Sequence, residues 1–365
     1  MKRIVFLFGL GSLLFSCSPD VKSQDVEGSG LVWEKKQLNI GAVLEEKGTA
    51  TADFYFVNNT DTNVLIEDVQ TDCGCTVADF SRDTIGIGKV GQVKVTYDHQ
   101  SRGGTFSKMI LVKTNLDPDG DSLFLEGVNV PYPKNPQSHY QVKKNGLGFV
   151  FETNNLGTLF TNQAKIKPLD FYNFKDTPIQ LNQVQTNIPD YIQVQMVPSV
   201  VQPESRGVLE ITYDPAIKND FGFVEEELEL SFISSEKMEL SLNLIAVIHE
   251  FFDPTPINQL DSVPKLEISE QEVDLGRISS NKPVSGTLTL ENTGPQPLNL
   301  RKVVSNCSCL SFELPTHDLN SGQSVDIVFT FDPKGRRGID HKTLTFFSND
   351  PINPTQTVII KSRID

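Results

Sequence analysis

GKVGQVKVTYD (Gly88–Asp98), SRGVLEITYD (Ser205–Asp214) and SGQSVDIVFTFD (Ser321–Asp332) are three settings of one pattern. Each opens on a Gly-bearing turn: Gly88 to Gly91, Ser205 to Gly207, and Ser321 to Gly322. Each then alternates apolar and other residues and closes on an aromatic residue followed by Asp. The alternating positions are Val93, Val95 and Tyr97, then Leu209, Ile211 and Tyr213, then Ile327, Phe329 and Phe331. A period of two is the mark of a strand with one buried face.

A repeated strand implies a repeated domain, so the pattern extends outward in both directions. Ile40-Gly41, Leu156-Gly157 and Leu275-Gly276 precede the three aromatic corners, with the Gly 56, 56 and 55 residues before the aromatic. Matching strands follow the corners at Met109–Lys113, Leu228–Phe232 and Thr343–Phe347. Each copy closes on a further strand, at Leu123–Val128, Leu240–Val247 and Val358–Ile360. Some seven or eight short strands in about 100 residues is the size and rhythm of an immunoglobulin-like β-sandwich. The expected fold is therefore all-β, with three tandem Ig-like sandwiches at 31–131, 138–252 and 264–365. The joints carry prolines, in YPKNPQ (Tyr132–Gln137) and DPTPINQLDSV (Asp253–Val263). Pro stiffens such joints and blocks strand pairing across them.

The other end of the chain is different in kind. Met1-Lys2-Arg3 is basic, Ile4–Phe15 is apolar, and Ser16-Cys17 follows. A basic start and a short apolar run make a secretory signal, since spanning a bilayer takes about 20 residues. Leu14-Phe15-Ser16-Cys17 resembles the lipobox of bacterial lipoproteins. That resemblance implies cleavage after residue 16 and a diacylated Cys17 as the mature first residue. SPDVKSQDVEGSG (Ser18–Gly30) is polar and aperiodic, so 17–30 reads as a lipidated tether. The expected address is the cell envelope, on the periplasm-facing or outer-membrane surface.

Composition narrows the partners. The 365 residues carry net charge −15, and losing Lys2 and Arg3 makes the side chains −17. A chain this acidic has no surplus to neutralise phosphates, which argues against nucleic acid as a partner. Anionic lipid repels it, so the lipid on Cys17 must supply the membrane attachment. Envelope proteins are the expected partners.

Most residues that invite a functional reading have a structural one. Tyr97, Tyr213 and Phe331 are equivalent core anchors. Asp98, Asp214 and Asp332 fit turns that bond backbone. Asp117-Pro118-Asp119-Gly120-Asp121 lacks the later Glu of a calcium loop and suits a hairpin. His99, His139, His249, His317 and His341 fit no metal spacing. No phosphate loop or nucleophile elbow is present, so no catalytic residues and no enzyme activity are expected.

The exceptions are Cys73-Gly74-Cys75 and Cys307-Ser308-Cys309, which the repeat makes equivalent. Asp72 and Asn306 stand before them, and the middle copy sets Asn187 in that place with no cysteine. TDCGCT (Thr71–Thr76) with Thr114-Asn115, and SNCSC (Ser305–Cys309) with Ser348-Asn349, resemble domain-of-unknown-function family 1573. Ser308 replaces that family's usual central Gly, and the middle copy departs by lacking both cysteines. The resemblance covers about 200 residues as two copies and implies an Ig-like fold in exported, lipid-anchored proteins, with no activity attached. The units also look distantly like major-sperm-protein-type sandwiches.

Export favours oxidation. Four cysteines allow three pairings, and pairing across a whole intervening sandwich is the awkward one. Residues two apart in extended chain are about 6.6 Å apart, near the limit for a disulfide, unless a turn intervenes. A ring so small closes almost no loop and is readily reduced. Four readings stay open: a local disulfide of structural role, a redox pair, a two-thiolate clamp for a soft metal such as Cu(I) or Zn(II), and free buried thiols. No resident cofactor is expected otherwise. The functional expectation is a non-enzymatic binding or scaffold lipoprotein. The alternative is thiol-redox or copper handling through Cys73, Cys75, Cys307 and Cys309.

Overall fold

A computed structural model describes residues 30–182 and 187–365. Cys17 and the signal and tether readings up to residue 29 lie outside the described residues. The chain is all-β and forms two compact units, one ending at Asn129 and the other running from Val130 to Asp365.

Among the described residues the first unit is a sandwich of eight strands. They are β1 (Leu31–Trp33), β2 (Gln37–Leu44), β3 (Ala50–Asn58), β4 (Ile66–Thr71), β5 (Thr76–Phe80), β6 (Val90–Tyr97), β7 (Gly104–Thr114) and β8 (Asp121–Val130). One sheet runs β1-β3-β6-β5 and the other β2-β8-β7-β4. The alternation of β6 sends Val93, Val95 and Tyr97 inward, each fully buried. They meet Ile110, Val112, Leu123 and Leu125 from the opposite sheet. Burying each such side chain contributes about 1.5–3 kcal/mol, which is why the pattern dictates the sheet face.

The second unit holds two more sandwiches, each with its own apolar core. Among the described residues the middle copy has ten strands and the last copy nine, more than the seven or eight expected. The surplus includes edge pieces such as Val142–Lys144, Val200–Val201 and Asp318–Leu319. The two cores are joined by a polar seam. Lys302 Nζ donates to Asp220 at 2.6 Å and to the Phe221 carbonyl at 2.9 Å. Arg301 grips Glu250 through two bonds of 2.9 and 3.1 Å. His249 Nδ1 lies 3.3 Å from Thr355 Oγ1, and its ring sits beside Phe347.

The leading strand of a copy divides between both sheets, which ties them together. In the last copy Leu266–Ile268 pairs antiparallel with Val284–Asn292, and Glu272–Ile278 then pairs parallel with Thr355–Ile364. The middle copy does the same with Thr153–Phe160 against Lys237–His249. The parallel ladders break register at Gly157 and Gly276, both at positive φ. There the side chain of Asn155 or Asp274 accepts the glycine N–H at 2.7–2.8 Å. Asn39 does so for Gly41. At Gly157 and Gly276 the sequence mark is therefore a β-bulge that Gly adopts without strain.

A second repeated residue holds each copy together. Asn58, Asn173 and Asn292 end matching strands and are 0% exposed. Each Nδ2 donates to the carbonyl four residues on, and again across the sandwich to Ile85, Val201 or Leu319. Local sequence does not mark them, because Asn ordinarily favours loops and turns.

Candidate functional site

The cysteines sit in one turn that all three copies build. The register pairs Thr76 with Tyr97, Ile192 with Tyr213 and Leu310 with Phe331. The residue before each of Thr76, Ile192 and Leu310 is therefore Cys75, Tyr191 or Cys309. Two residues further back stand Cys73, Pro189 and Cys307. The backbone bonds repeat as well: Thr76, Ile192 and Leu310 donate to the carbonyls of Cys73, Pro189 and Cys307. The N–H groups of Asp98, Asp214 and Asp332 reach the carbonyls of Cys75, Tyr191 and Cys309. This corrects one alignment: Ile188, not Asn187, stands opposite Asp72 and Asn306.

The turn brings each cysteine pair together as a disulfide, with Cα atoms 5.2 Å apart at Cys73–Cys75 and 5.1 Å at Cys307–Cys309. That is well inside the separation of an extended chain. A Cβ on Gly74 would meet nothing within 4 Å, and its φ is not positive. Ser308 in the matching place therefore fits without strain.

The two pairs have different surroundings. In the first copy Cys75 is 8% exposed and packs into the core, and Thr76 Oγ1 lies 3.5 Å from Cys73 Sγ and 3.8 Å from Cys75 Sγ. The polar neighbour is a neutral hydroxyl. In the last copy both cysteines are half-buried. Arg336 Nη2 donates to Cys307 Sγ at 3.1 Å, and the Cys309 N–H donates to the same sulfur at 3.1 Å. Asp340 Oδ2 lies 3.6 Å from Arg336 Nη1, and its Oδ1 binds Lys342 Nζ at 2.5 Å. Arg102 occupies the same offset from the corner in the first copy, but Phe106 replaces Asp340 and packs tilted against Tyr97.

The middle copy fills the turn differently. Lys218 stands five residues after Tyr213 and donates to Tyr191 Oη at 3.0 Å and to Glu226 at 2.9 Å. Tyr213 Oη donates to the same carboxylate at 3.1 Å. Burial, with Glu226 beside it, pushes the Tyr213 phenol far above its ordinary range.

A second feature lies on the outer face of the first sheet. Val32 pairs with Val57, and Val57 with Val90, so three valines cross three strands in one row. They are 49%, 38% and 63% exposed, and Tyr55 adds 40%. The last copy places Glu267, Glu291 and Ser324 at the same register positions. The middle copy places Gly148, Tyr172 and Arg206 there. In that copy its own leading segment covers the row. Tyr140, fully buried, stacks on Tyr172, and Arg206 Nη1 bonds the Pro131 carbonyl at 2.8 Å. A Cβ on Gly148 would fall 2.8 Å from Tyr140 Cβ, so the close cover requires Gly there. Part of the sequence joint is thus packed structure: Asn135 caps a short helix at Pro136–His139 that leads into Tyr140.

The other singled-out residues take structural places. Asp98, Asp214 and Asp332 accept the backbone N–H two residues on, at 3.0 Å. Asp117 Oδ1 accepts from Asp119 and Gly120 in the hairpin between β7 and β8. Among the described residues, no group of three or more His, Cys, Asp or Glu is placed to hold a metal ion. No helix among them is long and apolar enough to cross a membrane.

No curated protein matches the chain. A protein of unknown function from Porphyromonas gingivalis W83 is similar in structure, with TM-score 0.45 and 16% identity over 60% of this chain and 100% of that one. The ASH/PapD-like domain 7 of human CEP192 matches at TM-score 0.26 and 14% identity, over 32% of this chain and 93% of that domain. An endo-fucoidan hydrolase of glycoside hydrolase family 107 matches at TM-score 0.23 and 10% identity, over 87% of this chain and 42% of that one. Likenesses this distant carry no inference about activity. The sequence profile of the family described as "Protein of unknown function (DUF1573)" matches residues 31–129 and 266–364, and the chain belongs to that family.

Proposed function

We propose that the chain is an exported, lipid-anchored cell-envelope protein that binds an extended segment of a partner protein without catalysing a reaction. The observation that carries this is the valine row Val32–Val57–Val90. It is apolar and exposed where the last copy is acidic and the middle copy is covered by polypeptide. The middle copy also indicates the occupant's chemistry: an extended segment that supplies an aromatic ring and backbone carbonyls. Scattered apolar residues need no explanation, but a contiguous row on a sheet face is a common site of association. Ile4–Phe15 followed by Cys17 supports export and lipidation, and the lipid holds the first sandwich near its membrane.

The test transplants the last copy's row into the first: Val32→Glu, Val57→Glu and Val90→Ser together. Crosslinking in cells should recover a defined envelope partner with the wild-type chain and lose it with the transplant, while the melting temperature holds. Equal recovery from both, or none from either, contradicts the reading. Cys17→Ser should release the protein from the membrane fraction; retention would contradict the anchor.

A second reading, thiol exchange at the CxC pairs, is favoured by the contact of Arg336 with Cys307. The soft-metal alternative needs two free thiolates and two further ligands.

A further inference from the structure

We infer that Cys307–Cys309 is a thiol–disulfide exchange site that accepts electrons from a dithiol protein or peptide, and that Cys73–Cys75 is not. The inference deepens the second reading above and is independent of the valine row.

The physical difference lies in what each sulfur faces. A disulfide sulfur accepts hydrogen bonds poorly, whereas a thiolate accepts them strongly, most of all from a cation. Two N–H donors converge on Cys307 Sγ, from the Arg336 guanidinium and from Cys309, each at 3.1 Å. Asp340, at 15% side-chain exposure, stands 3.6 Å from that guanidinium and also binds Lys342 Nζ at 2.5 Å. Arg336 is 29 residues from Cys307 in sequence, so the fold brings the cation to the sulfur. These donors are held in place before any thiolate forms and strengthen when it does. They favour the reduced state, which makes the pair a better oxidant. The first copy has the same turn and the same cysteine spacing. It lacks the anchored cation, since Phe106 replaces Asp340, and its sulfurs face the Thr76 hydroxyl. Cys75 is also buried beside a half-buried Cys73, whereas Cys307 and Cys309 are both half-buried.

The exchange balances without a further reagent. A thiolate of the partner dithiol attacks Cys309 Sγ. The S–S bond breaks, and its electron pair leaves on Cys307 Sγ, where Arg336 and the Cys309 N–H receive it. The partner's second thiolate then attacks the partner's own sulfur in the mixed disulfide and expels Cys309. The partner ends as a disulfide, having lost two electrons and two protons. Cys307 and Cys309 end reduced, and the released protons go to Cys309 and to water.

The test uses the full-length chain, folded, in graded glutathione buffers, with alkylation and peptide mass reading each pair separately. Cys307–Cys309 should open at a lower ratio of thiol to disulfide than Cys73–Cys75. A hydrogen bond to a charged group changes an equilibrium constant by about tenfold or more. Arg336→Gln should therefore make the last pair harder to reduce by about tenfold and leave the first pair unmoved, as an internal control of folding. Arg336→Lys, which keeps the charge, should fall between. Coincident reduction of both pairs in the wild-type chain overturns the inference, as does an unmoved midpoint in a folded Arg336→Gln variant.

Discussion

Asn292 shows how one side chain decides a copy's stability. It is fully buried and makes bonds of 2.8 and 3.0 Å from Nδ2 to the Gln296 and Leu319 carbonyls, and it accepts from Gly294 at 3.0 Å. Removing it leaves the buried Leu319 carbonyl without its donor. Asn292→Ala is expected to cost about 2–4 kcal/mol, read as a shift of the denaturant midpoint. A cost below 1 kcal/mol would show that water replaces these bonds. The three Asn residues were present in the sequence at a constant offset from the aromatic corners, 39 or 40 residues before them. That offset was the signal. It went unread because Asn carries no strand preference of its own, and its role depends on carbonyls brought in by folding. Arg336 was hidden for the same reason: nothing in the sequence places it against Cys307.

At the scale of the element, the cysteine turn needs no cysteine. Pro189, Asp190 and Tyr191 build it with the same two backbone bonds. A ring closed over three residues restricts the unfolded chain by only about 1.6 kcal/mol, against nearly 5 for a long loop. Replacing Cys73 and Cys75 together by Ala should therefore cost about 2 kcal/mol or less and leave the sheet pairing unchanged, checked by thermal melting and amide exchange of β5 and β6. Loss of folding would make the disulfide a staple after all. The strands themselves were legible, since period-two alternation and bulge glycines are local signals. The valine row was not. Val57 and Val90 lie in strands with apolar residues on both faces, and alternation alone cannot say which face is covered. The off-by-one placement of Asn187 has a similar origin: Pro189 and Tyr191 carry no chemical likeness to the cysteines they replace.

At the scale of the molecule, the seam joining the two sandwiches of the second unit is ionic and titratable. Burial lowers the His249 pKa below its ordinary 6.5. For Asp220, burial pushes the carboxyl up, but the Lys302 and Phe221 donors outweigh it and the net shift is downward. A depressed folded pKa gives stability that is present above the unfolded value and lost as pH falls through the folded one. His249 therefore weakens the seam as pH drops below about 6.5, whereas Asp220 acts only in the acid range below its ordinary value. Amide exchange at Gly222–Val224 and Phe346–Phe347, corrected for intrinsic rate, should speed up between pH 7.5 and 5.5. His249→Gln should remove that dependence. The sequence marked Asp253–Val263 as a proline joint. It could not reveal the seam beside it, because Asp220, His249 and Lys302 are scattered along the chain.

The outer face of the first sandwich either binds a partner or does not, and position 57 reports on it. A photo-crosslinking residue placed at position 57, and in a second strain at position 291, compares equivalent sites in one protein within living cells. A single discrete adduct is expected from position 57, absent from position 291 and abolished by Val90→Asp. Equal adducts from both positions, or none from position 57 with the protein folded and membrane-bound, would contradict it.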